Sequence, residues 1–265
     1  MAYLFDTHMH ISTIEDPAAF FENARVAGCR FFLMAGTSRK DAEQIMELCN
    51  PEAGIYAAIG QYPECWEEYT PDLCAYYRQC YEKPGVVAVG EIGLEYHYDE
   101  DHHEEQKKQF SEFLDIAAEI GKPPMIHCRD AFDDCYALMQ EHFMTDKPFI
   151  IHSFTGTPAQ AEKWLDRGGY LSCNGMTTFK NAHDIRESLR YIPMDRLLLE
   201  TDTPYLAPVP FRGKPNSSAY LPYIAAKVAE VKNLSVDEVG KQTTRNAFEV
   251  FGIERTGNKA GIKLK

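Results

Sequence analysis

Eight short β-rich apolar runs, a longer segment of helical apolar spacing after most of them, and a length of 265 residues predict a single-domain (β/α)₈ TIM barrel over residues 1–265. Runs such as Phe31-Phe32-Leu33-Met34 and Leu197-Leu198-Leu199 are continuously apolar, as strands of a parallel sheet covered on both faces must be. Eight βα units of about 33 residues each would use up the chain, in keeping with the usual size of such a barrel. A doubly wound open sheet shares the alternation and stands as the alternative.

The predicted strands are 3–8, 30–35, 55–59, 86–90, 124–127, 148–152, 169–173 and 197–201. Helices are predicted at 17–27, 39–49, 66–81, 104–120, 131–142, 158–167 and 182–190, with two more at 218–232 and 236–251. Thr157-Pro158, and Ser235 with Glu238 three residues on, have the composition of helix N-caps. The Pro-rich stretch 204–215 is the longest irregular segment, and the basic end of a tail over about 252–265 is expected to fray.

Composition narrows the function classes. With 45% hydrophobic residues and 25% charged ones, the chain can bury a substantial core. No basic, apolar leader opens the sequence, and no run approaches the roughly 18 apolar residues of a membrane span, so a soluble protein with no membrane role is expected. Eight cysteines without a Cys-x-x-Cys pair fit reduced core residues in a cytoplasmic protein. The net charge of −13 disfavours a broad basic grip on nucleic acid. It leaves room for a nuclease whose bound cations reverse the sign locally.

The chemistry gathers at strand ends. His8 and His10 project from one face where the first strand stops. Glu91 follows the fourth strand, His127 the fifth, His152 the sixth and Asp202 the eighth, on what in a barrel is the C-terminal rim that carries active sites. Taken singly, each has an ordinary explanation: a carboxylate can cap the next helix, and a histidine can sit hydrogen-bonded at the barrel edge. Together they would leave several titratable groups desolvated side by side, which metal or mutual pairing must compensate. Four imidazoles and two carboxylates exceed the needs of one tetrahedral ion and suit two divalent ions sharing a water, with Glu91 as the bridge. Mixed imidazole and carboxylate ligation suits Zn²⁺ first, with Mn²⁺, Fe²⁺ or Ni²⁺ also suited and Mg²⁺ less so. Hydrolysis by the shared hydroxide follows.

These residues lie in Asp6-Thr7-His8-Met9-His10, Gly90-Glu91-Ile92-Gly93-Leu94-Glu95-Tyr96, His127-Cys128-Arg129-Asp130-Ala131, His152-Ser153-Phe154-Thr155-Gly156 and Glu200-Thr201-Asp202-Thr203-Pro204-Tyr205-Leu206. Through them nearly the whole chain resembles the TatD family of metal-dependent hydrolases. The resemblance implies a TIM barrel, a binuclear metal site and, frequently, deoxyribonuclease activity. It implies that His8, His10, Glu91, His127, His152 and Asp202 are the ligands, and that Asp202 receives the proton of the attacking water. The sequence departs from the family pattern twice: Tyr62 stands before Pro63 where a histidine is usual, and Asn216-Ser217-Ser218 replaces Asn-Glu-Pro. Tyr62 offers a neutral hydrogen-bond donor to a substrate oxygen but no positive charge at neutral pH.

Around this centre, Arg129, Arg212 and Lys214 are candidate phosphate contacts or plain solvated charges. Asp6 is either a carboxylate that orients a ligand or half of a barrel-floor salt bridge. His97, His102 and His103 sit in an acidic run read as a solvated loop. Tyr76, Tyr77 and Phe110 read as core or surface aromatics. The expected function is phosphodiester hydrolysis on DNA or another phosphodiester, with Glu91 and Asp202 catalytic and no obligate protein partner. Hydrolysis of carboxylic esters, lactones or amides is the alternative, followed by a non-catalytic metal-binding protein.

Overall fold

The computed structural model describes residues 3–99, 101–143, 146–255 and 262–264. Eight strands run β1 (Leu4–Met9), β2 (Cys29–Ala35), β3 (Ile55–Ile59), β4 (Val86–Glu95), β5 (Pro124–Arg129), β6 (Phe149–Ile151), β7 (Gly169–Cys173) and β8 (Leu197–Leu199). They hydrogen-bond in parallel in sequence order. At the far edge the Asp202 N–H donates to the His8 carbonyl at 2.9 Å and the His10 N–H to the Thr203 carbonyl at 2.8 Å. These bonds bring the last strand back to the first, and the sheet forms the predicted TIM barrel rather than an open sheet.

Helices α1 (Pro17–Val26), α2 (Arg39–Leu48), α3 (Pro71–Tyr81), α4 (His103–Ile120), α5 (Phe132–His142), α6 (Pro158–Asp166), α7 (His183–Tyr191), α8 (Leu221–Lys232) and α9 (Val236–Val250) alternate with the strands. Thr157 with Gln160 and Ser235 with Glu238 form full capping boxes, so both sequence signals mark helix starts. The single helix expected over 66–81 is two pieces, a 3₁₀ turn at Pro63–Glu68 and then α3. Thr70 caps a new start, and Pro71 in the first turn has no N–H to continue the turn before it. Similarly, the helix expected over 218–232 opens as a 3₁₀ turn, Ser218–Tyr220, before α8.

Side chains alternate along the strands between two apolar clusters. Phe32, Met34 and Ala57 pack outward against helices, and Leu33, Tyr56, Met125, Ile150 and Leu198 fill the barrel. Phe248, Phe251 and Ile253 close the barrel cluster from the end of α9. Burial of Ile253 anchors the beginning of the tail. Its strand β9 (Ile253–Arg255) pairs antiparallel with β10 (Ile262–Leu264), so this described part of the tail is ordered, while 256–261 and 265 lie outside the described residues.

Strand β4 extends past residue 90, where the sequence reading ended it, because Gly93 pairs with His127 and Glu95 with Arg129 of β5. Gly93 adopts φ +145°, and a Cβ there would lie 1.9 Å from the His127 carbonyl oxygen. Gly93→Ala is therefore expected to destabilise the fold by about 2–3 kcal/mol, at the upper end of typical overpacking costs. Gly28→Ala, at φ +101° with open space around it, carries only the backbone strain and should cost about 1 kcal/mol. Denaturant unfolding of both variants checks this; equal losses would show that the β4–β5 approach tolerates a methyl group.

Candidate metal centre

All six residues singled out at strand ends meet in one place. Glu91, buried at the centre, divides its oxygens. Oε2 lies 3.3 Å from His8 Nε2 and 3.6 Å from His10 Nε2, and Oε1 lies 2.9 Å from both His127 Nδ1 and His152 Nε2. Asp202 Oδ1 stands 3.4 Å from His10 Nε2 and 3.7 Å from His8 Nε2. Its side chain is 12% exposed against 2% for Glu91, so Asp202 faces the mouth and Glu91 the floor.

Electrostatics follow from this crowding. Burial would raise the Glu91 carboxyl, but the charges of His152 and His8 and hydrogen bonds from His127 and His152 hold it well below the carboxylate range. For His152, burial disfavours the charge and Glu91 and Glu200 override it, leaving the ring well above its ordinary value. Burial likewise opposes charge on His10, yet Asp202 and Glu91 push it up to about 9. At His8, burial and the neighbouring His152 prevail and lower the value.

The donor set fits a divalent cation. His8, His10 and Glu91 present ligand atoms within 4.8 Å of one another, and so do Glu91, His127 and His152. Imidazole nitrogens also face each other, at 3.3 Å between His8 Nε2 and His10 Nε2 and at 3.0 Å between His127 Nδ1 and His152 Nε2. Converging lone pairs of this kind are satisfied by a metal with mixed nitrogen and oxygen ligands.

Local backbone shapes place these groups. Ser153, directly after His152, has φ 48°, and Asp202 itself has φ 58°, the left-handed region in which Asp is among the better tolerated residues. Asp6 does not orient a histidine. Its Oδ1 accepts from the Thr201 N–H at 2.8 Å, and its Oδ2 accepts from the Thr201 and Ser218 hydroxyls at 2.6 Å each. It therefore supports Asp202 through the adjoining backbone. Asn216 donates to the carbonyls of Thr201 and Tyr205 at 2.7 Å each. In this chain Asn216-Ser217-Ser218 thus ties the loop after β8 to the barrel.

Tyr62 does reach the centre, its hydroxyl 3.5 Å from His127 Nε2 and 3.3 Å from Glu95 Oε2. Burial, together with Glu91 and Glu95, raises the phenol, so it keeps its proton at neutral pH. Arg129 is exposed with its guanidinium 5.4 Å from the Tyr98 ring, Arg212 is exposed 4.4 Å from the Phe179 ring, and Lys214 is exposed. Arg129 is the last residue of β5, Arg212 and Lys214 lie in the loop after β8, and none of the three is among the six central groups. His97 pairs with Asp130 at exposed positions and His102 with Asp99 at half-buried ones, while Tyr77 and Phe110 are fully buried core.

Two carboxylates escaped the sequence reading. Glu95 Oε2 lies 3.0 Å from His127 Nε2. Glu200 Oε1 lies 3.5 Å from His152 Nδ1, and that carboxylate also accepts from the Ser153 N–H at 2.8 Å, Asn174 Nδ2 at 3.2 Å and the Ser172 hydroxyl. Their signal was an acidic residue inside Gly-Leu-Glu-Tyr and Glu-Thr-Asp, next to ligand positions but without a visible partner. Glu200→Ala is expected to destabilise the metal-free protein by about 3–5 kcal/mol, as removing one partner of a buried pair does. Glu200→Gln, which retains an acceptor for the Ser153 N–H, should lose less. Urea unfolding measures both; a neutral Glu200→Ala would remove Glu200 from the support of His152.

Known proteins are similar to this chain in sequence and fold. The family profile described as TatD related DNase matches residues 5–252. The "Uncharacterized metal-dependent hydrolase YabD" of Bacillus subtilis is 36% identical, over 94% of this chain and 99% of that protein. The "3'-5' ssDNA/RNA exonuclease TatD" of Klebsiella pneumoniae is 31% identical, over 96% of this chain and 100% of that protein. The crystal structure of YJJV, a TatD homologue from Escherichia coli K12, superposes with a TM-score of 0.88 at 27% identity, covering 94% of this chain and 97% of that one. A profile spanning the barrel, and relatives above 30% identity along nearly its whole length, establish that the chain belongs to the TatD-related DNase family.

Proposed function

We infer that this protein is a binuclear metal-dependent phosphodiesterase that hydrolyses DNA, or a related nucleic acid, at a phosphate bound locally to the centre. One observation carries the reading: a single buried carboxylate, Glu91, offers one oxygen to the His8–His10 pair and the other to the His127–His152 pair. That division would suit two divalent ions, Zn²⁺ before Mn²⁺, Fe²⁺, Ni²⁺ or Mg²⁺, with Glu91 a ligand available to both. When bound, such ions activate water at neutral pH and neutralise the charge of a phosphoryl group. A relative named as a 3'-5' ssDNA/RNA exonuclease supports nucleic acid as the substrate class.

The chain's own residues divide the work. His8, His10, His127, His152, Glu91 and Asp202 would hold the ions. Asp202, the carboxylate nearest the mouth, takes the proton of the attacking water at Oδ1. Tyr62 donates a neutral hydrogen bond to a substrate oxygen. Arg129, Arg212 and Lys214 meet neighbouring phosphates from the rim, supplying positive charge that a chain of net charge −13 concentrates where it is needed. The eight free cysteines suit a reducing, cytoplasmic location.

The test is hydrolysis of single-stranded and duplex DNA, RNA, a carboxylic ester, a lactone and an amide, with and without chelator. Chelator-sensitive cleavage of nucleic acid is expected. Asp202→Ala should lower turnover by about 10²–10⁴-fold, the range for loss of a general base, and Glu91→Ala should abolish it, each with the fold retained. Turnover confined to acyl substrates, or full activity in either variant, overturns the assignment.

A further inference from the structure

We propose that Glu95 is a positioning residue that keeps a proton on His127 Nε2, so that Nδ1 is the ring nitrogen that gives up its proton to a cation at the candidate centre. This rests on the reading that His127 is a ligand. The distances already described place His127 Nδ1 2.9 Å from Glu91 Oε1 and His127 Nε2 3.0 Å from Glu95 Oε2. Which nitrogen carries the proton is set by the partner of the other nitrogen.

The four bonds around Glu95 leave one answer. Oε1 accepts from the backbone N–H groups of His97 at 2.7 Å and Tyr98 at 3.2 Å. Oε2 accepts from the Tyr62 hydroxyl at 3.3 Å and faces His127 Nε2. Both oxygens thus act as acceptors, and the ring nitrogen opposite Oε2 must be the donor. Glu95 cannot turn away, because it is 1% exposed and its main chain is clamped by buried Gln106. The Gln106 carboxamide accepts from the Glu95 N–H at 2.8 Å and donates to the Glu95 carbonyl at 3.1 Å.

The other three histidines do not use Glu95. His10 Nδ1 meets the Ala35 carbonyl at 3.1 Å, His8 Nδ1 meets the Met125 sulfur at 3.0 Å, and His152 Nδ1 faces Glu200. Glu95 therefore governs the His127–His152 half of the centre and leaves the His8–His10 half alone.

A one-atom change separates this role from a structural one. In Glu95→Gln the two backbone N–H groups hold the amide oxygen at the Oε1 position, which puts the NH₂ at the Oε2 position. That NH₂ donates to His127 Nε2 and moves the ring proton to Nδ1, against the metal. Zn²⁺ is titrated by competition with a chromophoric chelator into wild type, Glu95→Gln and Tyr62→Phe. Long-range ¹H–¹⁵N correlations report the His127 tautomer, and thermal unfolding monitors the fold. Wild type is expected to bind two ions, and Glu95→Gln to hold one unchanged while the other weakens by about 10–100-fold. Its His127 proton should be on Nδ1, while Tyr62→Phe keeps both affinities and the Nε2 proton. Two unchanged affinities in a folded Glu95→Gln, or a Zn²⁺-loaded wild type whose His127 lacks the Nε2 proton, overturns the proposal for Glu95. If Glu95→Gln fails to fold, the wild-type tautomer alone decides. A wild type that binds a single ion with His127 protonated on Nε2 instead counts against the binuclear reading and upholds the Glu95 role.

Discussion

A carboxylate taken out of water among four imidazoles is the constraint around which this barrel is organised. Glu91 is 2% exposed, and an isolated charge there would be untenable without compensation. The partners cannot come from its own neighbourhood in sequence, so they come from the ends of β1, β5 and β6. Correct strand register is thereby tied to the chemistry. A slip of one residue would turn each histidine to the helix side and leave the carboxylate unpaired. The barrel's apolar filling beneath, from Met125, Ile150 and Leu198 down to Phe251, keeps water from taking over that role.

Around the six central groups lies a second ring of acceptors and donors. Glu95, Glu200 and the Ala35 carbonyl face histidine nitrogens, and Asp6 and Asn216 hold the backbone on either side of Asp202. Such supporting contacts orient metal ligands and set their tautomers. Four of the chain's acidic residues, Asp6, Glu91, Glu95 and Glu200, are thus spent inside the protein at 0–2% exposure. They contribute to the formal charge of −13 without forming a repulsive surface. An acidic chain can therefore belong to a DNase family if recognition is local.

Much of this was legible in the residue order. Continuous apolar runs located all eight strands, with residues 55–59 and 169–173 agreeing to the residue. The polar residue that ended each run then marked the rim. Boundaries slipped where a neighbour decided them. Pairing with β5 carried β4 on to Glu95, and the cap at Thr70 broke a helix that periodicity alone had joined. Asp6 was visible as a candidate to orient a ligand, but its partners Thr201 and Ser218 lie 195 and 212 positions away, and only closure of the barrel brings them together.

The sequence by itself determined the βα alternation, the six candidate ligands and their place at the C-terminal ends of strands. These follow from period-two geometry and from the cost of desolvating polar groups. Only the tertiary structure decided how those side chains divide between the two oxygens of Glu91, which nitrogen of each ring faces inward, and that Glu95 and Glu200 stand behind two of them. Such choices depend on directions and distances of about 3 Å between residues far apart in the chain, and hydrogen bonding is too short-ranged and directional to be written in residue order.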